Sequence, residues 1–411
     1  MTQPAFINPA ILSWSRQRAG LSEAQVAKGL TVKTERIKAW EGGQSLPTFT
    51  QAQKWSVIAQ IPFGFLFLKA PPQEHLPLPD LRTVAGAPSQ KPSLNLLDTV
   101  RDVLRKQDWY LEYLQDHERS PLTFVGSFNS RSPVKDVVAD IRRVLGVTDA
   151  FARMGHEEYV RALVSSAEDA GILVMRSGVA LGNTHRKLDV SEFRGFAISN
   201  AMAPVVFINS ADAPAARLFT LMHELAHIWI GSTGVSNGSS QSARQEEAFC
   251  NAVAGEFLAP ELVFRANWVS DVCWEENLVP LAALFHVSAL VIARRARDLG
   301  YINSDQYGSY YRRILQAYRD KGGGGGDYYR TAAVRNSTRL SKAVLAEAQS
   351  GRILLRDAGK LLGVQPAKLK AYGMYWAWIL QQHQTLEIAS IVQVRDELAR
   401  GNDDGRCRCH T

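Results

Sequence analysis

The sequence predicts a multidomain, mainly α-helical protein with a small β-sheet, and three observations carry that expectation. The 411-residue length exceeds what one small hydrophobic core needs. Hydrophobic residues make up 46% of the chain and recur at helical spacing through most of it. Short continuous apolar runs of strand length gather between 171 and 208. The expected order is an all-α unit over 1–68 and a Pro-rich linker with connecting helices over 69–130. An α+β unit over 131–310 follows, then a mainly helical region with a Gly-rich loop over 311–411.

At the N-terminal end, Pro9 to Ala19 reads as an amphipathic helix with Ile11, Leu12 and Ser15 on one side and Gly20 as its stop. Ser22 caps a second helix, and Gln25 completes the capping box. A third runs from about Lys33 to Glu41, ended by Gly42-Gly43, and Pro47-Thr48 opens a fourth that carries Trp55, Ile58 and Ala59. Such a tight cluster of short helices suits a helix-turn-helix module. Its recognition helix, Thr31 to Glu41, offers Lys33, Thr34, Glu35, Arg36 and Lys38 to solvent and Val32, Ile37 and Trp40 to the core.

The net charge of +7 is concentrated at the two ends. A basic N-terminal module fits double-stranded DNA, with Lys33, Thr34, Arg36 and Lys38 as the contact residues. Two-fold operators need two readers, so a homodimer follows from that expectation. A protein-interaction or purely structural helical domain is the plainer reading of the same pattern.

Residues 69–92 turn Pro-rich, which reads as a linker or a strap over a domain surface. Helical patterns resume over Leu94–Asp116, Pro133–Leu145 and Glu157–Ala170. Strands are expected at 171–175, 195–198 and 205–208, the last two joined by a short hairpin connection over Asn200–Pro204. Asp212 is expected to cap the next helix, with Pro214 in its first turn. Gly231 to Ser242 reads as a polar loop, Ala243 to Leu258 as a helix, and Leu278 to Gly300 as a helical pair parted near His286-Val287-Ser288. Gly322 to Gly326 reads as a flexible hinge or a disordered loop, and short helices are expected at Ser341–Gln349, Leu354–Leu362 and Pro366–Tyr372.

The chemistry concentrates in His223-Glu224-Leu225-Ala226-His227. Spaced by one helical turn, His223 and His227 share a face and are placed to bind one Zn2+ ion, with Glu224 beside them as general base. Zinc acidifies water at such a site, and Glu224 would take the proton and return it to the leaving amine. A third ligand is needed, and Glu247 on the following helix is the preferred one. Glu246 is the rival, turned by about 100° on the same helix. Asn251, one turn beyond, is a candidate to orient a ligand. His185 and several tyrosines are unranked candidates for oxyanion stabilisation, and the strand ending near Ile208 is a candidate open edge for an extended peptide.

These residues resemble the ImmA/IrrE-type metallopeptidases in the form that carries an N-terminal Xre-type helix-turn-helix. The resemblance rests on Ala19-Gly20-Leu21-Ser22 with Trp40-Glu41-Gly42, and on the paired histidines. It rests further on Glu247-Ala248-Phe249-Cys250-Asn251, Ala254-Gly255-Glu256-Phe257-Leu258-Ala259-Pro260 and Leu281-Ala282-Ala283-Leu284-Phe285-His286-Val287-Ser288. It implies a zincin-like central domain and a zinc endopeptidase of gene regulation, with His223, His227 and Glu247 as metal ligands and Glu224 as the catalytic residue. It also implies cleavage of an Xre-type repressor as protein substrate, with release of stress-response or mobile-element genes. The alternative class is a non-proteolytic DNA-binding regulator or antitoxin-like protein that keeps the metal site. A third is a sensor whose ligand or zinc tunes operator affinity.

Other classes lack support. No run approaches the length of a transmembrane helix and no secretion signal is read, so no membrane association is expected. Four cysteines make no disulfide framework, which favours a cytoplasmic location. No phosphate-binding or dinucleotide loop appears. Cys407-Arg408-Cys409-His410 reads as a tail, Cys250 as a small core residue, and Trp376-Ala377-Trp378-Ile379 as core or a dimer contact.

Overall fold

The computed structural model describes residues 4–73, 77–78, 80–82, 92–148, 151, 154–237, 241–320 and 328–375. The glycine run Gly322–Gly326, the Trp376–Ile379 patch and the Cys407–His410 tail lie outside the described residues.

The N-terminal unit consists of α1 (Pro9–Arg18), α2 (Glu23–Leu30), α3 (Thr34–Glu41) and α4 (Phe49–Ile58) around its own core. Ile11, Leu12, Ile37, Trp40 and Trp55 are buried there. Ser22 with Gln25 and Thr48 with Gln51 form complete capping boxes, which fixes where α2 and α4 begin. Thr31 is the left-handed C-cap of α2 and Lys33 the N-cap of α3, so the helix expected over Thr31–Glu41 begins at Thr34. Arg16 forks onto Glu41 at 2.6 and 2.8 Å, and Trp55 donates to Ser15 Oγ at 3.0 Å. These contacts explain Ser15 in the core and the glutamate before Gly42.

The rest of the described chain is organised on one sheet. Strand β1 (Asp80–Arg82) precedes α5 (Leu94–Asp116), α6 (Val134–Val144) and α7 (His156–Asp169). Then come β2 (Leu173–Ser177), β3 (Gly195–Ile198), β4 (Val205–Asn209), α8 (Pro214–Trp229) and β5 (Gly234–Asn237). They are followed by α9 (Gln241–Leu258), α10 (Glu261–Asn267), α11 (Leu278–Leu284), α12 (Ala289–Asp298) and α13 (Ser304–Asp320). The last are α14 (Tyr328–Asn336), α15 (Thr338–Gln349) and α16 (Leu355–Leu362).

The strand order is β1-β5-β3-β4-β2, with β3 antiparallel to both of its neighbours. Strand β4 is therefore interior, and the expectation of an open edge at Ile208 is overturned: β2 pairs with it in parallel from Leu173↔Val205 to Ser177↔Asn209. The expected polar loop after Gly231 contains β5, and the Pro-rich strap contains β1, paired in parallel over Asp80↔Val235 to Arg82↔Asn237.

Residues 173–175 of β2, β3 and residues 205–208 of β4 are continuous apolar runs because both faces of the sheet are covered there. Val174, Ala197, Val206 and Ile208 point into a core shared with α6, α8, α9 and α12. Leu173, Met175, Phe196, Ile198, Val205 and Phe207 point the other way, into a core built from α5, α14, α15 and α16. Residues far apart in sequence are joined on that second face. Glu168 at the end of α7 accepts from Thr338 N at 2.9 and 3.0 Å and so caps α15, while Gln107 donates to Ala203 O at 2.6 Å.

The motif around Gly255 has a packing cause. The Arg295 guanidinium crosses α9 where any Cβ on Gly255 would meet it at 2.9 Å. It pairs there with Glu256 and donates to Ala259 O at 2.9 Å. Glu256 in turn accepts from Glu261 N at 3.0 Å at the start of α10.

A chain cut after residue 320 would expose the sheet face carrying Phe196 and Phe207, because α14–α16 cover it. We expect such a fragment to bind a hydrophobic dye and lose its cooperative thermal transition, measured by fluorescence and calorimetry.

Candidate metal centre

Helix α8 is apolar on nearly every side, and from Leu218 to Trp229 all of its residues are buried. Pro214 occupies its first turn, as expected, but the N-cap is Ala213 and not Asp212. Asp212 lies one residue outside, where its Oδ1 accepts from Ala213 N and from Tyr311 OH, both at 2.7 Å. The far end is closed by a distant segment: Gly126 N and Phe128 N donate to Ile228 O and Trp229 O at 3.0 and 3.1 Å. Those are among the carbonyls a helix leaves without internal partners.

Within this sheath sit His223, Glu224 and His227, at 7%, 1% and 2% exposure. The one-turn spacing brings the two imidazoles together, with Nε2 atoms 3.1 Å apart. Glu247 reaches across from α9, placing Oε2 at 3.2 Å from His223 Nε2 and Oε1 at 3.4 Å from His227 Nε2. Burial pushes the Glu247 carboxyl up, but hydrogen bonding and charge from His223 and His227 outweigh it and hold it well below the usual carboxylate range.

The residues fit a small divalent cation. Four ligands at zinc's bond lengths of roughly 2.0–2.1 Å lie about 3.3 Å apart at the corners of a tetrahedron, which is the spacing these three donors already have. Glu247 Oε1 is buried without a hydrogen-bond partner among the described residues. Facing imidazole nitrogens with an orphaned carboxylate oxygen leave polar atoms that a cation would satisfy. His223, His227 and Glu247 form the candidate ligand cluster, all within 4.8 Å of one another.

The rival Glu246 faces elsewhere, accepting from Ser232 Oγ at 2.9 Å. His185 is exposed in the loop that packs on α5, through Arg186 to Asp98 at 2.7 Å, on the sheet face opposite α8. That location removes it as an oxyanion candidate. No hydrogen bond joins Asn251 to the cluster among the described residues. Cys250 is fully buried, and burial holds its thiol well above its ordinary value, as suits a small core residue.

Glu224 projects toward the start of β3. A Cβ built on Gly195 would lie 2.8 Å from Glu224 Oε1, 2.8 Å from Phe207 O and 2.9 Å from Thr220 Cγ2. Gly195 therefore makes room for the carboxylate, a role the sequence signals only as a glycine opening a strand. Beside it, Arg194 leans over the Tyr311 ring at 4.4 Å, with its Nε 3.9 Å from Asp212 Oδ2. Sequence patterns gave no reason to single out Arg194, Arg294 or Tyr307, which line a small cavity with Thr220.

On the N-terminal unit, Lys33, Arg36 and Lys38 are exposed and Thr34 is half-buried at the start of α3. Lys38 Nζ lies 3.7 Å from Glu23 of α2.

Replacing Gly195 by Ala should destabilise the protein by about 1–3 kcal/mol through overpacking, although Gly-to-Ala in an open strand ordinarily stabilises. Thermal unfolding of the variant tests this. An unchanged melting temperature would mean that Glu224 has room to spare.

Residues 336–374, spanning α15 and α16, match a family described as a domain of unknown function (DUF8813). No curated protein matches this chain. Residues 167–297 run from the end of α7 through β2–β5, α8 and α9 to α12. This region, which contains the candidate ligand cluster and Glu224, matches the peptidase family described as the IrrE N-terminal-like domain.

Proposed function

We propose that the protein is a zinc-dependent endopeptidase acting in transcriptional regulation, with an N-terminal DNA-binding domain of the Xre helix-turn-helix type. The observation that carries the reading is the buried convergence of His223, His227 and Glu247, with the Glu224 carboxylate one residue away on the same helix. A structural zinc site closes its coordination with protein ligands; among the described residues this cluster has three, which leaves a position for solvent or substrate.

His223, His227 and Glu247 would hold the zinc, which when bound supplies a Lewis acid that acidifies water and polarises a carbonyl. Glu224 would supply the proton transfer, accepting a proton from water and handing it to the leaving amine; its burial and its direction toward Gly195 support that role. The apolar wrapping of α8 keeps bulk solvent away from that carboxylate.

The substrate in this reading is a repressor-type protein, Xre-like in fold, and the setting is cytoplasmic, away from membranes. Lys33, Thr34, Arg36 and Lys38 would contact DNA phosphates and base edges as part of a homodimer. The other reading, a DNA-binding regulator that retains a metal site without proteolysis, differs at Glu224.

Three outcomes are expected. Glu224→Gln should keep its zinc, measured by elemental analysis, and lose about 10²–10⁴-fold in cleavage of a co-encoded repressor. Unchanged cleavage would refute the mechanism. His227→Ala should lose the metal, and chelation of the wild type should lower its melting temperature, because an ion bound only by the folded state stabilises it. Lys33→Ala with Arg36→Ala should weaken DNA binding and reduce the log–log salt slope by about 1 for each phosphate no longer neutralised.

A further inference from the structure

Three stretches of the N-terminal unit carry no charged side chain: residues 4–15, 42–53 and 55–68. The fold brings parts of all three together. Pro4 bridges Thr48 in antiparallel fashion, Ala5 N donates to Pro47 O at 2.9 Å, and Asn8 N donates to Leu66 O at 3.0 Å. The first segment is thereby seated between the start of α4 and the 3-10 turn Phe63–Phe67. Ala5 and Ile7 are buried, so in this extended stretch the side chain between them turns outward, and Phe6 is 79% exposed.

The neighbouring rings continue the surface. Phe49, in the first turn of α4, meets the Phe63 ring edge-on with centroids 5.0 Å apart, and Phe63 meets Phe67 in the same way at 5.3 Å. Phe49 and Phe67 are still 48% and 47% exposed, and Leu68 next to them is exposed as well. Phe6, Phe49 and Phe67 stand outside the core that Trp40 and Trp55 fill. At about 200 Å² for a fully exposed ring, these three and Leu68 leave on the order of 400 Å² of apolar surface open on each copy. A contiguous patch of that size marks a contact site.

Its composition decides the kind of partner. A phosphate backbone or an acidic lipid surface needs cations, and these stretches supply none. A two-fold contact sets residues near the axis against their own copies, where a charged side chain would meet its like. An uncharged face carries no such penalty. Two of these patches with their rims reach the lower end of the roughly 1,200–2,000 Å² that specific interfaces bury.

We infer that this aromatic face, Phe6, Phe49, Phe63 and Phe67 with Leu68, is the surface through which two copies of the chain associate. It rests on the homodimer of the reading above and gives that homodimer a location. Because the face includes the start of α4, the next helix after α3, pairing through it couples the two copies of α3.

The test is made without DNA, so that the surface and the DNA-binding reading can fail separately. Full-length protein is taken through sedimentation equilibrium from about 1 to 100 µM, where wild type should pass from monomer to dimer. Phe6→Glu should raise the dimer Kd by about 10-fold or more and leave the thermal transition in place, since the ring lies outside the core. Phe49→Glu should act alike, and an acid in the first turn of α4 suits the helix dipole. Val279→Glu alters a similarly exposed residue of α11 and should leave Kd within about 2-fold. A wild type that stays monomeric, or a dimer that neither phenylalanine variant weakens, overturns the surface. So does a monomer that sediments with phosphatidylcholine vesicles through Phe6, which would make the patch a lipid contact. Phe6-dependent dimers that bind no double-stranded DNA fragments remove the DNA-binding reading and leave the surface standing.

Discussion

Two imidazoles and two carboxylates held inside an apolar sheath set the constraint that the central fold satisfies. His223, Glu224 and His227 are all below 10% exposure on a helix whose other late residues are hydrophobic. Polar groups taken out of water need partners, and each partner here comes from a different element. Glu247 arrives from α9, space for Glu224 comes from the missing side chain of Gly195 on β3, and the α8 carbonyls are closed by the segment at 126–128. Moving any of these elements by an ångström would leave a buried charge or acceptor alone. The sheet, α8 and α9 are therefore tied together by chemistry as well as by packing.

One sheet separates two roles. On the face toward α8, small and β-branched residues such as Ala197, Val206 and Gly195 let the helix approach closely. On the opposite face, Phe196 and Phe207 stack at 4.9 Å against helices drawn from both ends of the chain. That second layer contributes no ligand; it holds the strands from behind, with Glu168 capping α15 as one of the ties. The matched peptidase region ends before α13, so part of its support comes from residues beyond it.

How much of this was legible in the sequence follows from the range of each interaction. The paired histidines, the capping box at Ser22, the helix opened by Pro47-Thr48, and α5 at Leu94–Asp116 are local patterns, and local patterns can be read directly. Helical geometry separates Glu246 and Glu247 by about 100°, so only one can face the histidines, and the packing of α9 on α8 makes it the preferred Glu247. Strands β1 and β5 escaped because their segments are Pro-rich or Gly/Ser-rich and carry no apolar alternation; their partners define them. Strand order was misjudged at β4 because nothing local says which neighbour a strand takes. Arg194 and Arg294 escaped for the same reason: they line one small cavity only after β3, α8 and α12 pack.

Where residues 126 and 231 cross, both backbones have positive φ, and a Cβ on Gly231 would meet the Cα of Gly126 at 3.2 Å. That bare crossing lets the upstream turn segment lie flat against the last turn of the histidine helix. It acts as a splice between two remote stretches of chain. Damage there would propagate to the ligands through main-chain carbonyls alone, so a lesion near 126 can mimic the loss of a ligand it never touches.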